Sequence, residues 1–292
     1  MTASTAHNRT IDQAGMELRA KLCREMALSA GQVAMEGFAR RDGSSIGMKG
    51  PQDFLTETDS AVERHIKARI AEVFPEDGFL GEETGIGGDV TGNVWVVDPI
   101  DGTANFARDI PHFCISIAFV VDGQVVLGAI NNPSLNELYF ARRGRGAWRN
   151  EVQLQVAKTD EYSAACVELG WSNRRPLGTY IDVLTNILER GANVRRSASG
   201  ALGLAFVADG RSDAYLELHM HAWDCLAGLL LVQEAGGVVV PFLENGGLLN
   251  GGPVLAAVPA IAEDLCIASG IAMHVESDRD TAKPRSSVPV AG

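Results

Sequence analysis

The chain has 292 residues, 46% of them hydrophobic, and a formal net charge of −12, so it can bury one large core or two fused subdomains and disfavours nucleic acid on its general surface. Its first fifteen residues are polar, and its longest apolar run, residues 113–121, is too short to span a bilayer, so neither a secretion signal nor a membrane anchor is expected. The five scattered cysteines (Cys23, Cys114, Cys166, Cys225, Cys266) include no Cys-x-x-Cys pair, which argues against a disulfide framework or a zinc site and points to a reducing cytoplasm.

Apolar residues such as Leu18, Leu22, Met26 and Val33 recur at roughly helical spacing and predict a long helix over residues 10–40. A second helix is predicted over 60–73. Ser60 with Glu63 three positions on marks its start, Val62, Ile66, Ile70 and Val73 form its buried face, and Asp59 stands at its mouth. A Gly-rich loop over 85–92 then leads to a short buried strand over 93–97. Strands over 114–121 and 124–130 are joined by Asp122-Gly123, a strong hairpin signal, and the antiparallel character continues over 137–142 and 147–156.

After about Lys158 strand and helix alternate. Strands are predicted over 165–169, 213–218 and 238–241, and helices over 177–188, 199–208 and 223–234, the last capped by Gly236-Gly237. Residues 276–292 are polar with Pro and Ser and read as a mobile tail. The expected division is an α+β subdomain over 1–157, an α/β subdomain over 158–275, and the tail.

The densest chemistry lies in Trp95-Val96-Val97-Asp98-Pro99-Ile100-Asp101-Gly102-Thr103-Ala104-Asn105-Phe106, a buried strand ending in two aspartates three residues apart. Pro99 cannot continue a ladder, so the strand is expected to stop at Asp98. Asp101-Gly102-Thr103 then reads as a helix entrance, where free amides and the positive dipole end favour an anion. Taken alone, Asp98 would be a turn residue and Asp101 a helix cap. Two further acidic segments stand apart from this one. Gly81-Glu82-Glu83-Thr84 alone reads as a solvated loop, and Trp223-Asp224, before an apolar stretch, alone reads as a helix N-cap. Gly47-Met48-Lys49-Gly50 lacks the spacing of a Walker A loop, so divalent cations are the natural way for this acidic chain to hold an anion.

Together, the GEE loop, the DPIDGT strand end and the WD helix ending in EAGG resemble the inositol monophosphatase family, in the family's order, from about Lys49 to Gly237. The resemblance implies a five-layer αβαβα sugar-phosphatase sandwich and hydrolysis of a small phosphomonoester with two or three Mg²⁺ ions, Mn²⁺ being the alternative. Carried over, Glu82, Asp98 and the carbonyl of Ile100 would bind one ion and Asp98, Asp101 and Asp224 a second. An all-oxygen set suits such hard cations. Thr103 would hold the attacking water and pass its proton towards Asp59, and the amides of Gly102 and Thr103 would hold the phosphate. His219 and His221 are an alternative metal pair, disfavoured because Asp224 already has the family role.

By the same resemblance the alcohol portion would meet Ala198, Ser199, Gly200 and Glu217, with Asp101 also able to touch a hydroxyl. Ala198 stands where family members usually have Gly, so its methyl bears on the polyol preference. Glu217, in Tyr215-Leu216-Glu217-Leu218, is expected to share a strand face with Tyr215 while the leucines face the core. Inositol monophosphate is the leading substrate. Histidinol phosphate, fructose bisphosphate and 3'-phosphoadenosine compounds are the alternatives, and a regulatory, protein-binding role is the rival of another class. Lithium sensitivity and a homodimer complete what the resemblance implies.

Overall fold

The computed structural model describes residues 11–40, 46–50 and 53–273. The predicted tail over 276–292 and Thr10, the first residue of the predicted first helix, lie outside them. Asp12 accepts the N–H of Gly15 (2.7 Å) and starts helix α1 (Gln13–Ala39), whose small residues Ala20, Ala27, Ala30 and Ala34 pack inwards with Leu22, Cys23 and Met26. Leu18, expected on that face, is 47% exposed. A hairpin of β1 (Ile46–Gly50) and β2 (Asp53–Thr56) follows, then helix α2 (Glu57–Val73). α2 starts three residues before its expected position. Its capping box is Thr56 with Asp59, since the Asp59 carboxylate accepts the Thr56 N–H (2.8 Å), and Glu63 is buried inside the helix instead of capping it.

The first sheet has the order β10-β9-β8-β7-β6-β5-β3-β4, built from β3 (Gly78–Gly81), β4 (Gly85–Gly87), β5 (Asn93–Asp101), β6 (Cys114–Val121), β7 (Gln124–Asn132), β8 (Glu137–Arg142), β9 (Gly146–Arg149) and β10 (Val152–Gln153). Only β3 and β5 run parallel within it. β5 does not stop at Asp98 as expected. It continues through Pro99 to Asp101, because a bulge against β6 between Asp98 and Asp101 spares the ladder bond that proline cannot donate. The hairpin of β6 and β7 turns on Asp122 and Gly123 (φ 48° and 74°), the two left-handed residues of a type I′ turn. The single strand expected over 147–156 is broken at Asn150 (φ 53°) into β9 and β10.

A five-residue helix, α3 (Thr103–Ala107), leaves the end of β5. Beyond the first sheet come β11 (Cys166–Leu169), α4 (Leu177–Glu189), β12 (Asn193–Arg195), α5 (Gly200–Ala208), β13 (Ala214–Met220), α6 (Ala222–Glu234), β14 (Val238–Val239), α7 (Gly247–Asn250), β15 (Gly252–Ala257) and α8 (Ala262–Ser269). Their sheet has the order β12-β11-β13-β15-β14 and is parallel from β12 to β13.

The layers follow from which faces are apolar. α1 and α2 cover one face of the first sheet over Phe79, Trp95, Val97, Ile117 and Phe119. α5 and α6, buried almost all round, fill the space between the two sheets, and α4 with α8 covers the far side of the second. The result is the αβαβα sandwich. No helix among the described residues is long and apolar enough to cross a membrane, and all five cysteines are free thiols.

Candidate active site

The parallel pairing of β3 with β5 makes the first pair of site residues. Gly81 lies opposite Val97, so Glu82, just past the end of β3, stands beside Asp98 within β5, and the Glu82 N–H donates to the Val97 carbonyl (3.1 Å). Glu63, completely buried on α2, accepts the N–H groups of Glu83 and Thr84 (both 2.9 Å) and ties that loop down. Asp59 lies one helical turn earlier on α2 and is also buried. Its Oδ1 is 3.3 Å from the Thr103 hydroxyl, which is also 2.9 Å from the Ile100 carbonyl, so its single proton serves one of the two acceptors. Burial raises the Asp59 carboxyl to about 6 despite its bonds from Thr56.

Asp101 does cap a helix, though not α3, whose N-cap is Gly102 at φ 98° with no side-chain bond. It caps α5 from across the fold, accepting from the Ser199 hydroxyl (2.6 Å) and from the N–H groups of Gly200 (3.2 Å) and Ala201 (2.7 Å). Gly102 could not be another residue without strain, since a Cβ there would press on the carbonyls of His112 and Ala198. Asp224 is not the N-cap of α6 but its third residue, and its Oδ2 accepts the N–H of the N-cap His221 (2.9 Å). The Ser116 hydroxyl, on β6, donates to the Trp223 carbonyl (3.0 Å) and fixes the start of α6 beside the end of β5.

These segments enclose a cleft of about 260 Å³. Glu82, Asp101, Gly102, Thr103, Ala198, Ser199, Gly200, Glu217 and Asp224 all line it, while Asp98 is buried beneath and Asp59 is reached through Thr103. As expected, Tyr215 and Glu217 share a strand face, and the Tyr215 hydroxyl donates to Glu217 Oε2 (2.6 Å). Burial raises the Glu217 carboxyl to about 7. Ala198 adopts a left-handed conformation (φ 61°), the backbone geometry that favours glycine. His219 Nε2 is 3.2 Å from the Asn250 carbonyl, and His221 stacks on Trp223 with its ring 5.5 Å from that of His219.

The acidic groups raise one another. Burial, then Glu82, Asp101 and Asp224, push the Asp98 carboxyl well up, and burial with Asp101 lifts Asp224 to about 8. Among the described residues no three His, Cys, Asp or Glu side chains are already closed round one point. The donor set nevertheless fits a hard divalent cation. It is all oxygen, it carries net negative charge, and each carboxylate has lone pairs beyond the helix-capping bonds it accepts.

The inositol monophosphatase family matches residues 16–273. The chain belongs to that family. It is 37% identical over 244 residues to an inositol-1-monophosphatase of Mesorhizobium japonicum, covering 82% of this chain and 92% of that protein. To a Nus factor SuhB of Haemophilus influenzae it is 36% identical over 242 residues, covering 82% and 91%. Among solved structures, the extragenic suppressor protein suhB of Bartonella henselae superimposes with a TM-score of 0.80 at 31% identity over 86% of this chain and 98% of that one. The inositol monophosphatase of Anabaena gives 0.76 at 31% identity, covering 87% and 95%.

Within this inositol monophosphatase fold several cleft residues escaped sequence reasoning. Glu168, only 1% exposed, lines the cleft, accepts the Ser197 hydroxyl (3.0 Å) and pairs with Arg195 (3.2 Å). A charged residue inside the apolar run Cys166 to Leu169 was the available signal. Trp171 and Arg196 also line the cleft from loops that carry no pattern. Asn105 follows the DPIDGT segment by two residues. Its side-chain amide donates to the carbonyls of His112 (2.8 Å) and Ser197 (2.9 Å), which clamps the 197–198 loop against α3.

Proposed function

We propose that this chain is a Mg²⁺-dependent phosphatase of small polyol phosphomonoesters, with inositol monophosphate as the leading substrate. The observation that carries this reading is the meeting of Glu82, Asp98, Asp101 and Asp224 at one cleft with Thr103 and the buried Asp59 beside them. Glu82, Asp98 and the Ile100 carbonyl would hold one cation, and Asp98, Asp101 and Asp224 a second, with Mn²⁺ as a substitute. Bound there, such cations activate water and stabilise the leaving oxygen.

The chain's own groups do the rest. The Thr103 hydroxyl holds the attacking water, and Asp59, whose carboxyl titrates at about 6, takes the proton near neutral pH. The N–H groups of Gly102 and Thr103, at the turn from β5 into α3, hold the phosphate oxygens as charge develops on them. Glu217 accepts a hydroxyl of the alcohol, with Ala198, Ser199 and Gly200 as the facing wall. Lithium inhibition and a homodimer are part of the same reading, as is a reducing cytoplasm, which suits five free thiols.

The test is phosphate release with Mg²⁺ across inositol 1-phosphate, histidinol phosphate, fructose 1,6-bisphosphate and 3'-phosphoadenosine 5'-phosphate. Preference for inositol phosphate is expected, and metal-independent turnover or none would overturn the reading. The Nus factor names of relatives such as that of Haemophilus influenzae favour a second, protein-binding role. Metal-dependent turnover separates an enzyme from a protein that only binds.

A further inference from the structure

The Tyr215 side chain is 3% exposed, yet no step of the proposed chemistry uses it. Its ring lies under the first turns of α5, where a Cβ on Gly203 would run into the ring and one on Gly200 would press on the hydroxyl. A Cβ on Gly170, at the end of β11, would collide with both the Tyr215 hydroxyl and Glu217 Oε2. Three glycines from two elements therefore leave the volume that a tyrosine and a glutamate fill together. The bond between them is short (2.6 Å) and joins residues two apart on one strand face.

That bond holds one oxygen of Glu217 and leaves the other for a ligand, at the wall of the cleft. α5, which packs on the Tyr215 ring, is itself capped by Asp101 through Ser199, Gly200 and Ala201. The distance from Asp101 to the Glu217 carboxyl is thus set through buried contacts and not through a mobile loop.

We infer that Tyr215 is a positioning residue for substrate choice: its hydroxyl locks the Glu217 carboxyl in the orientation that meets a hydroxyl of the substrate alcohol. This rests on the reading of Glu217 given above. Tyr215 lines the same cleft, but the role inferred for it is exerted through Glu217, so its effect must appear on hydroxyl-bearing substrates and vanish once Glu217 no longer discriminates.

The experiment compares kcat and KM for inositol 1-phosphate and p-nitrophenyl phosphate, which has no alcohol hydroxyl to read, in wild type, Tyr215→Phe, Glu217→Gln and the double variant. Tyr215→Phe keeps the ring and its packing, so folding should hold. The expected result is a loss of about three- to tenfold in kcat/KM for inositol 1-phosphate, carried mainly by KM, with p-nitrophenyl phosphate changed by less than about twofold. In the Glu217→Gln background the same substitution should add less than about twofold, because the carboxylate whose orientation Tyr215 sets is no longer there to read the alcohol. Equal losses on both substrates, or an additive loss in the double variant, would overturn the positioning role. If Glu217→Gln discriminates between the substrates and Tyr215→Phe does not, the proposal alone falls. If Glu217→Gln does not discriminate, or inositol 1-phosphate is not hydrolysed, the reading of Glu217 falls and takes the proposal with it.

Discussion

Two clusters of acidic side chains in this molecule meet opposite fates. Glu137 and Asp209 are each matched by arginine. Arg211 pairs with Glu137 (2.5 Å) and with Asp209 (2.8 Å), Arg149 also pairs with Asp209, and the Tyr139 hydroxyl donates to Glu137 (2.9 Å). Burial raises the Glu137 carboxyl, but the bonds from Arg211 and Tyr139 outweigh it and leave the group below its ordinary value. Asp209 ends raised, since its burial outweighs the same arginines. In the cleft, Asp98 and Asp224 are matched chiefly by other carboxyls and both end raised, Asp224 to about 8. Compensation by fixed cations distinguishes a cluster that holds the fold from one that can take a cation.

The contrast breaks most visibly at Asp98 and Asp224. Replacing either by Asn removes ligand charge, and kcat/KM should fall by about a hundredfold or more while the circular dichroism spectrum is kept. Arg211→Ala should leave kcat/KM within about twofold. Full activity in Asp98→Asn would remove the distinction between the clusters.

Metal removal sharpens it next. Asp98 and Asp224 keep protons to higher pH than ordinary carboxyls, so a cation must compete with those protons, and its affinity should rise between pH 6 and pH 8. At a hundredfold excess over Kd, Mg²⁺ should stabilise the chain by about 2.7 kcal/mol. The rise in Tm over chelated protein should be larger at pH 8 than at pH 6, and an equal rise at both would count against the raised carboxyls as the binding set.

Asp59 gives a related effect without metal. Its folded value of about 6 exceeds the ordinary 3.8, so between those pH values the folded chain keeps a proton that the unfolded chain has released. Stability therefore falls as pH rises through that window, by roughly 3 kcal/mol at most. Asp59→Asn should relieve this penalty, less the loss of part of its capping bond with Thr56, for a net gain of roughly 1 to 2 kcal/mol above pH 6 in chelated protein. Urea unfolding at pH 4 and pH 7.5 reads it, and a gain that does not grow with pH would refute it.

In the compensated cluster the sign reverses. Arg211→Ala leaves Glu137 and Asp209 short of a partner and should destabilise by roughly 1 to 2 kcal/mol, Arg211 being about a third exposed. The smallest effect belongs to Ala198→Gly. It should relieve left-handed strain at the cleft wall and stabilise by about 0.5 to 1 kcal/mol, read from the urea midpoint.

Much of this was legible from local chemistry. The Asp122-Gly123 hairpin, the apolar run of β5 and the acidic strand end could be read because turn propensity, burial and proline act over a few residues. Asp59, Thr103 and Glu217 were legible only through the resemblance of the motifs around them. The start of α2 was misplaced because two overlapping capping boxes, Thr56 with Asp59 and Ser60 with Glu63, fit the same signature. Burial of Glu63 under the Glu82 loop settled the choice. The extension of β5 through Pro99 depended on a bulge, which is a property of the pairing with β6 and not of either strand alone.

The sequence by itself determined that three acidic segments adjoin buried apolar runs, and only their likeness to one family set them together. Tertiary structure decided what those acids do for the fold. Asp101 caps α5, a helix that begins ninety-nine residues later at Gly200, and Tyr215 meets Glu217 in a volume shaped by glycines just after β11 and on α5. A carboxylate or hydroxyl can bond to any donor or acceptor that packing brings within about 3 Å, and distance along the chain carries no information about that approach.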